Sequence, residues 1–276
     1  YYDIKYIPVN GSWAHSSSGA SVKATGRIGQ EGDFDLVLIV AGGHPASFRD
    51  TKLFQWLRTL SRRGVNLGGV SGGPVILASA GVMEGRRMTV HWEHAAALAE
   101  SRTGLMIERS LYVIDRDRFT CAGGIAPLDM MHALLTEHHG PAFARQVSDW
   151  FMHTDVRSAS GPQRSGLVER YGTNNPPIIL AIKSMENHIA DPLDLAQLAK
   201  LSEVSPRQLN RLFRSKMGQS TMNFYCKLRL EKAYKLLKQS TLPITEIALA
   251  NGFSSSAHFA HSFRRTFGST PSSLRQ

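Results

Sequence analysis

The chain has 276 residues, of which 42% are hydrophobic and 20% are charged. This is enough for about two domains with cores of their own, and it excludes a disordered or fibrous protein. The longest apolar run, Leu36 to Ala41, is far shorter than the ~18–20 residues of a membrane-spanning helix. Two cysteines, Cys121 and Cys226, are too few for a disulfide framework or a zinc site, which favours a reducing, cytoplasmic location.

The positive charge is unevenly spread along the chain. The formal net charge is +10, and residues 174–276 alone hold 14 Lys and Arg against 6 Asp and Glu. A basic segment of this kind indicates contacts with phosphate groups, and a solvated basic surface is the alternative interpretation.

Short apolar strands alternate with helical stretches over the first part of the chain. This alternation predicts an α/β domain whose sheet contains parallel strands. The predicted strands are residues 34–41, 65–70, 88–91, 111–114 and 119–122. The predicted helices are residues 51–63, 73–80, 95–101 and 127–138.

The pattern changes after residue 154. Residues 155–175 are rich in Ser, Gly, Pro, Gln and Asn, which predicts a linker between a domain at 1–154 and a domain at 176–276. The last domain shows only helical patterns. Its predicted helices are residues 193–199, 207–217, 224–239, 244–250 and 254–267.

Two helix-turn-helix motifs are predicted in this last domain. Ser205 and Pro206 are an N-cap and a first-turn proline for one second helix, which Gly218 ends, and Gly268 ends the other about fifty residues later. In such a motif the second helix enters the major groove of DNA. Helix pairs also build ordinary bundles, but two copies with basic, amide-rich second helices favour DNA binding.

Two segments carry a resemblance to a known family. Residues 244–275 (ITEIALANGFSSSAHFAHSFRRTFGSTPSSLR) and 205–213 (SPRQLNRLF) resemble the AraC/XylS family of bacterial transcription regulators. The resemblance implies binding of double-stranded promoter DNA and contact with RNA polymerase, with a homodimer left open. The base-reading positions that it implies are Arg207, Gln208, Asn210 and Arg211 in one helix and Ser256, Ala257, His258 and His261 in the other. Arg214 and Arg264 are interpreted as phosphate contacts or solvated charges.

A strand, a tight glycine-rich turn and a helix follow one another around Ser71 in the first domain. Small residues at such a turn are typical of a nucleophile elbow, which would project the Ser71 side chain from the end of the strand. With His91 or His44, Ser71 would then form a hydrolase site. The alternative is that Ser71 only caps the following helix.

Residues 68–94 (GGVSGGPVILASAGVMEGRRMTVHWEH) and 119–135 (FTCAGGIAPLDMMHALL) resemble the DJ-1/PfpI family, whose domain is class I glutamine-amidotransferase-like. The resemblance implies a flavodoxin-like sheet, with a first strand and helix expected to precede Tyr1 and residues 1–9 as the next strand. Enzymes of that superfamily carry Cys where this chain has Ser71. A serine lacks a ready thiolate, so a sensor is favoured over the alternative, a hydrolase or amidotransferase that uses Ser71.

Residues 120–172 are most similar to regulators of quaternary-amine and arginine catabolism. This implies an activator that responds to a small cationic metabolite such as carnitine, glycine betaine or a choline derivative. The ligand-binding residues proposed on this basis are Ser71, Gly72, His44, His91 and Trp92, with Trp56 a further aromatic candidate and Asp129 a capping or pocket-orienting residue. The alternatives are a place in the core for each tryptophan and a structural role for the two histidines. No cofactor and no metal site are predicted.

Overall fold

The structure is a computed structural model that describes residues 1–16, 18–30 and 32–275. It contains two compact units, unit 1 (Tyr1–Ala95 and Arg102–Gln163) and unit 2 (Ala96–Ser101 and Arg164–Gln276). The predicted domain bounds 1–154, 155–175 and 176–276 stay a prediction. Within the described ranges, no helix has the length and apolar character needed to cross a membrane.

Unit 1 is built on a four-stranded mixed sheet in the order β3-β4-β8-β7. Strands β3, β4 and β8 are parallel, and β7 pairs with β8 in the antiparallel sense, as the predicted strand pair requires. Two two-stranded ladders, β1-β2 and β5-β6, accompany it. The strands are β1 (Trp13–His15), β2 (Ser21–Lys23), β3 (Leu36–Ala41), β4 (Asn66–Ser71), β5 (Arg87–Met88), β6 (Met106–Ile107), β7 (Tyr112–Asp115) and β8 (Arg118–Cys121).

Helices pack against this sheet through apolar faces. In the first of them Leu57 and Leu60 are buried, and the Asp50 carboxylate caps its start by accepting from the Leu53 N–H at 2.7 Å. A short 3-10 turn, Pro45–Ser47, precedes it. The helices of this part of the chain are α1 (Thr51–Arg62), α2 (Gly73–Ser79), α3 (Trp92–Ser101), α4 (Ala126–His139) and α5 (Pro141–Trp150). Helices α1, α2 and α4 contact the sheet, α5 packs on α4, and residues 96–101 of α3 belong to unit 2. The predicted α/β fold is confirmed.

Three local predictions in unit 1 need correction. Residues 1–9 are not a strand: Tyr6 exchanges hydrogen bonds with Thr25 and Gly26 outside the four-stranded sheet. The strand predicted at 88–91 is only the two-residue β5. The hairpin β1-β2 and helix α5 were not predicted, because their short or interrupted apolar patterns have no clear period.

Unit 2 is helical over its described residues, as predicted. One short helix, α6, lies inside the segment 155–175 that was predicted to be a linker, and α7 begins directly after that segment. The helices are α6 (Leu167–Tyr171), α7 (Pro176–Asn187), α8 (Leu195–Leu201), α9 (Pro206–Met217), α10 (Thr221–Gln239), α11 (Ile244–Ala250) and α12 (Ser256–Phe267).

Two apolar cores share the long helix α10. Its first turns place Phe224 and Tyr225 in a core with α7, α8 and α9, whereas Leu230 and Leu237 belong to a second core with α11 and α12. Each helix-turn-helix motif therefore has a core of its own, and α10 connects the two.

Candidate functional site

The elbow around Ser71 lies at the carboxyl edge of the parallel strands. Ala41 is paired with Ser71 across β3 and β4, and Cys121 ends the neighbouring β8. Ser71 has a φ of 59°, a strained value for a residue that is not glycine. The next N–H, that of Gly72, donates to the Ala41 carbonyl at 2.8 Å. This is the sharp strand-to-helix turn that the sequence predicted.

The loop after β8 approaches the same turn. Gly123 has a φ of +91°, and a Cβ at this position would lie 2.7 Å from the Ser71 Cβ and 2.9 Å from its Oγ. Any other residue at position 123 would therefore displace Ser71. The elbow thus needs a glycine from the loop after β8, about fifty residues further along the chain.

The segment that follows β5 carries histidine and tryptophan side chains close to one another. The His91 N–H donates to the Ser71 carbonyl at 3.4 Å, which brings this segment to the elbow. The His91 ring lies 5.3 Å from the Trp92 ring and 5.8 Å from the His94 ring, measured between centroids. His91 and Trp92 are half-buried, and the His91 Nδ1 is 3.8 Å from a carboxylate oxygen of Glu93.

His94 is the member of this group that sequence reasoning missed. It is 7% exposed, and burial lowers its pKa from the ordinary value, with a further lowering from the nearby His91 and His44 that Glu93 opposes. The His94 imidazole is therefore neutral, and it is more deeply buried than that of His91. The signal available in the sequence was the three-residue spacing of His91 and His94 at the start of α3, where the His94 N–H donates to the His91 carbonyl at 2.8 Å.

Of the two remaining ligand candidates, His44 lies in a segment that reaches the elbow and Trp56 lies in the core. His44 is exposed and precedes Pro45, whose Cγ would lie 2.8 Å from a Cβ placed on Gly72, so the segment after β3 also reaches the elbow. Trp56 is remote from solvent: it is 9% exposed and meets Phe34 edge to face at 5.9 Å. Trp56 is a core residue, which corrects its inclusion among the aromatic candidates.

The buried thiol of Cys121, beside the elbow, is unreactive at neutral pH. Cys121 is fully buried, and burial raises its pKa to about 11 against the opposing hydrogen bonds from the Gly123 and Ser71 backbone. A thiol with this pKa stays protonated at neutral pH, so Cys121 is a poor nucleophile. Within the residues that the structure describes, no group of three or more His, Cys, Asp or Glu is placed to hold a metal ion.

Asp129 does not cap α4, which corrects one of the two roles predicted for it. The N-cap of α4 is Ile125, and no side chain caps this helix. The Asp129 carboxylate is fully buried, where it lies 3.0 Å from His153 Nε2 and accepts from the Arg157 backbone N–H at 2.9 Å and its Nη2 at 2.6 Å. Asp129 therefore anchors the segment after α5 to α4.

In unit 2, α9 presents a basic and amide-rich face. Ser205 caps the helix by accepting a hydrogen bond from the Gln208 N–H at 3.2 Å. Leu209 and Phe213, on the opposite face, are fully buried. The exposed positions among the predicted DNA-binding residues are Arg207, Gln208, Arg211 and Arg214.

Helix α12 repeats this arrangement. Ser255 accepts from the His258 N–H at 3.1 Å, and Phe259 and Phe263 are fully buried. The predicted DNA-binding residues of this helix are all exposed; they are Ser256, Ala257, His258, His261 and Arg264.

Asn210 differs from the other predicted DNA-binding residues of α9. It is half-buried, and its Oδ1 accepts from the Thr221 N–H at 3.0 Å in the first turn of α10. A bidentate contact with adenine needs the amide oxygen and nitrogen together. The oxygen already has an intramolecular partner, which favours a structural role within the domain, and the base contact of Asn210 stays a prediction.

Comparisons with known proteins agree with this two-part architecture. Residues 2–137 match the DJ-1/PfpI family, and residues 198–276 match a helix-turn-helix domain. The chain is 44% identical over 276 residues to the HTH-type transcriptional regulator GlxA of Rhizobium meliloti, covering all of this chain and 85% of that protein. The chain belongs to the AraC-type transcriptional regulators that carry a DJ-1/PfpI domain.

Two further similarities were found, one over nearly the whole sequence and one in fold. The HTH-type transcriptional regulator CdhR of Pseudomonas aeruginosa is 40% identical over 274 residues, which are 99% of this chain and 82% of the relative. A THiJ/PfpI family protein of Pseudomonas syringae has a solved structure that aligns with 73% of this chain and 77% of its own, with a TM-score of 0.50 and 21% identity. That similarity shows the fold alone.

Proposed function

We propose that this chain is a sequence-specific transcription regulator that places α9 and α12 in successive major grooves of double-stranded DNA and responds to a small effector bound at the elbow. The observation that carries the DNA-binding part is the repeated amphipathic design of α9 and α12. Each buries phenylalanine on one face and exposes basic and hydrogen-bonding side chains on the other. The names of the relatives, HTH-type transcriptional regulators, support the same activity.

The exposed side chains suit both parts of DNA recognition. Arg207, Gln208 and Arg211 have the donors that read guanine or adenine edges, and His258 and His261 are the corresponding donors on α12. Cations elsewhere on the two helices bind phosphates, which fixes register without reading sequence. The basic excess of residues 174–276 supplies this electrostatic part of the affinity.

DNA binding is tested by selecting duplexes from a random library with the full chain. We expect recovery of a site with two halves about one helical turn apart, whose affinity falls steeply with salt. Arg207→Ala should reduce affinity for the selected site, whereas Lys183→Ala, an exposed cation on α7, is the matched control with little effect. Selection of no common sequence would contradict the proposal.

The effector site in the proposal consists of Ser71, Gly72, His44, His91 and Trp92 at the carboxyl edge of the sheet. The effector that we propose is a small quaternary amine. The partly buried Trp92 side chain supports this, because an aromatic face attracts a trimethylammonium group that cannot donate hydrogen bonds. The neighbouring imidazole of His91 suits a carboxylate on the same ligand.

A thermal-shift titration with carnitine, glycine betaine and choline tests this site, with arginine as a cation of different shape. A ligand that binds only the folded chain raises the melting temperature. Trp92→Ala should abolish the shift, and Trp150→Ala, which removes an 86% exposed tryptophan on α5, should leave it unchanged. Equal shifts in both variants, or none in the parent with any of these amines, would contradict the quaternary-amine proposal.

We further propose that the elbow binds rather than turns over its ligand. Ser71 stands where a catalytic cysteine would be expected, and the pKa of the neighbouring Cys121 thiol is too high for it to act instead. Hydrolysis of simple esters or amides that disappears in Ser71→Ala would establish the enzymatic alternative.

Activation through RNA polymerase and action as a homodimer complete the proposal. Transcription in vitro from a promoter that contains the selected site, with and without the effector, tests activation. Light scattering of the free and DNA-bound chain tests the dimer.

A further inference from the structure

Arg229 of α10 reaches the turn of the second helix-turn-helix motif. Its Nε donates to the Asn251 carbonyl and its Nη2 to the Gly252 carbonyl, each at 2.8 Å. The guanidinium also lies over the Phe253 ring, 4.3 Å from the centroid. Residues 251–253 form the turn between α11 and α12, so this one side chain holds the turn by two directed bonds and a planar contact.

The same turn meets the segment that leads into the first motif. Gly252 has a φ of +72°, and a Cβ there would lie 2.6 Å from the Ile189 carbonyl oxygen and 2.5 Å from Pro192. Tyr225, one helical turn before Arg229 on α10, donates its hydroxyl to the His188 carbonyl. Two side chains on one helix thus hold the entry to the first motif and the turn of the second.

The chemistry of Arg229 points to a positional role. Burial lowers its pKa, and none of the salt bridges among the described residues 1–16, 18–30 and 32–275 involves it. A methionine would fill a partly buried site with less desolvation cost. Unlike a methionine, the Arg229 guanidinium donates two directed hydrogen bonds, and its rigid geometry therefore fixes the positions of the Asn251 and Gly252 carbonyl groups.

We infer that Arg229, together with Tyr225, is a positioning residue that sets the placement of α12 relative to α9 and therefore the spacing between the two DNA half-sites that the chain accepts. The inference rests on the proposed function, in which the two helices enter successive grooves. One inserted base pair moves a half-site by about 3.4 Å and rotates it by about 35°. A rigidly held pair of helices rejects such a change, and a loosened pair tolerates it.

The test uses the full chain and the duplex that the parent selects from a random library. Affinity is measured on that duplex, on versions with one or two base pairs inserted or removed between the halves, and on each half-site alone. For the parent we expect about a tenfold loss for each change of spacing. Arg229→Lys, which keeps the charge but not the fork, should bind the selected duplex about tenfold more weakly and lose most of the spacing preference.

Controls separate this result from a general loss of stability. Half-site affinity should stay within about twofold of the parent, because each recognition helix keeps its own core. Lys227→Ala, an exposed cation on α10 that is 4.0 Å from Glu231, should keep the parent's spacing preference. If Arg229→Lys melts below the assay temperature, Tyr225→Phe takes its place, and it too should flatten the spacing preference.

Three results would overturn the inference: an unchanged spacing preference in Arg229→Lys, an equal loss on half-sites and whole site, or the same flattening in Lys227→Ala. A parent that selects no two-part site contradicts the proposed function itself. The two failures are therefore distinguishable.

Discussion

The two helix-turn-helix motifs of unit 2 are alike in scaffold. The first helix of each, α8 and α11, has seven residues, and the second, α9 and α12, has twelve. Both second helices end at a glycine in the left-handed region, Gly218 and Gly268. The fully buried Phe213 and Phe263 occupy equivalent positions, eight residues into each helix.

The two motifs differ on the surface. Arg207 and Arg211 of α9 correspond to Ala257 and His261 of α12, so the second helix has fewer fixed cations at its exposed positions. Apolar positions preserve the shape of the motif, whereas exposed positions are free to vary with what they contact. We therefore expect α9 to contribute more of the DNA affinity than α12.

The largest expected effect tests the shared scaffold. Phe213→Ala and Phe263→Ala should each lower the free energy of unfolding by about 3–5 kcal/mol, because each leaves a cavity in one of the two cores. Urea denaturation followed by circular dichroism measures the loss. Similar values for the two variants support the equivalence of the motifs, and a cost below about 1 kcal/mol for either would break it.

The next effect tests the surface difference. Arg211→Ala should weaken binding to the selected DNA site by about 1–3 kcal/mol, the value of a bidentate base contact, and His261→Ala should weaken it less. Quantitative gel shifts on the selected and a scrambled duplex measure both. Equal losses on the two duplexes would make Arg211 a phosphate contact, and a larger loss for His261→Ala would reverse the comparison.

Asn210 marks a smaller difference between the motifs, since Ala260 stands at the equivalent position of α12. Asn210→Ala removes the acceptor for the Thr221 N–H, so we expect a loss of about 1–2 kcal/mol in unfolding free energy. Base preference on a set of single-substitution duplexes should not change. A relaxed preference at one base pair would instead establish Asn210 as a base contact.

The smallest effect concerns how each motif begins. Asp194 forms a capping box with Gln197 at the start of α8, whereas Pro243 precedes α11 and offers no side-chain cap. Asp194→Ala should cost about 1 kcal/mol, and Pro243→Ala should remove no capping bond. Thermal denaturation of both variants measures the difference, and an equal loss would show that the capping box contributes little.

Local patterns predicted much of this fold. The start of α9 follows from Ser205 as a capping residue, and the ends of α9 and α12 follow from glycines, because capping acts within a few residues of the chain. The start of α12 was predicted at residue 254, two residues before the helix begins, because Ser255 was not identified as its cap. The elbow at Ser71 was also predicted from a local pattern, the glycine-rich turn between a strand and a helix. The hairpin β1-β2 was not, since three-residue strands carry too little alternation to be distinguished from a loop.

The site was predicted less completely than the fold. Ser71 was named from the glycine-rich turn and Trp92 from the family resemblance, and the structure brings their segments together. His94 was missed because its burial depends on packing that no periodicity reports. Trp56 was included wrongly, since an indole on an amphipathic helix has the same spacing whether it lines a pocket or a core.

The sequence by itself therefore determined the two-part architecture, the tandem motifs and the strained turn, because each depends on residues close together in the chain. Only the tertiary structure decided the contacts of Asn210, Asp129 and Arg229. Their partners lie eleven to twenty-eight residues away, at Thr221, Arg157 and Asn251, and which distant backbone group or cation meets a side chain is set by packing rather than by sequence spacing.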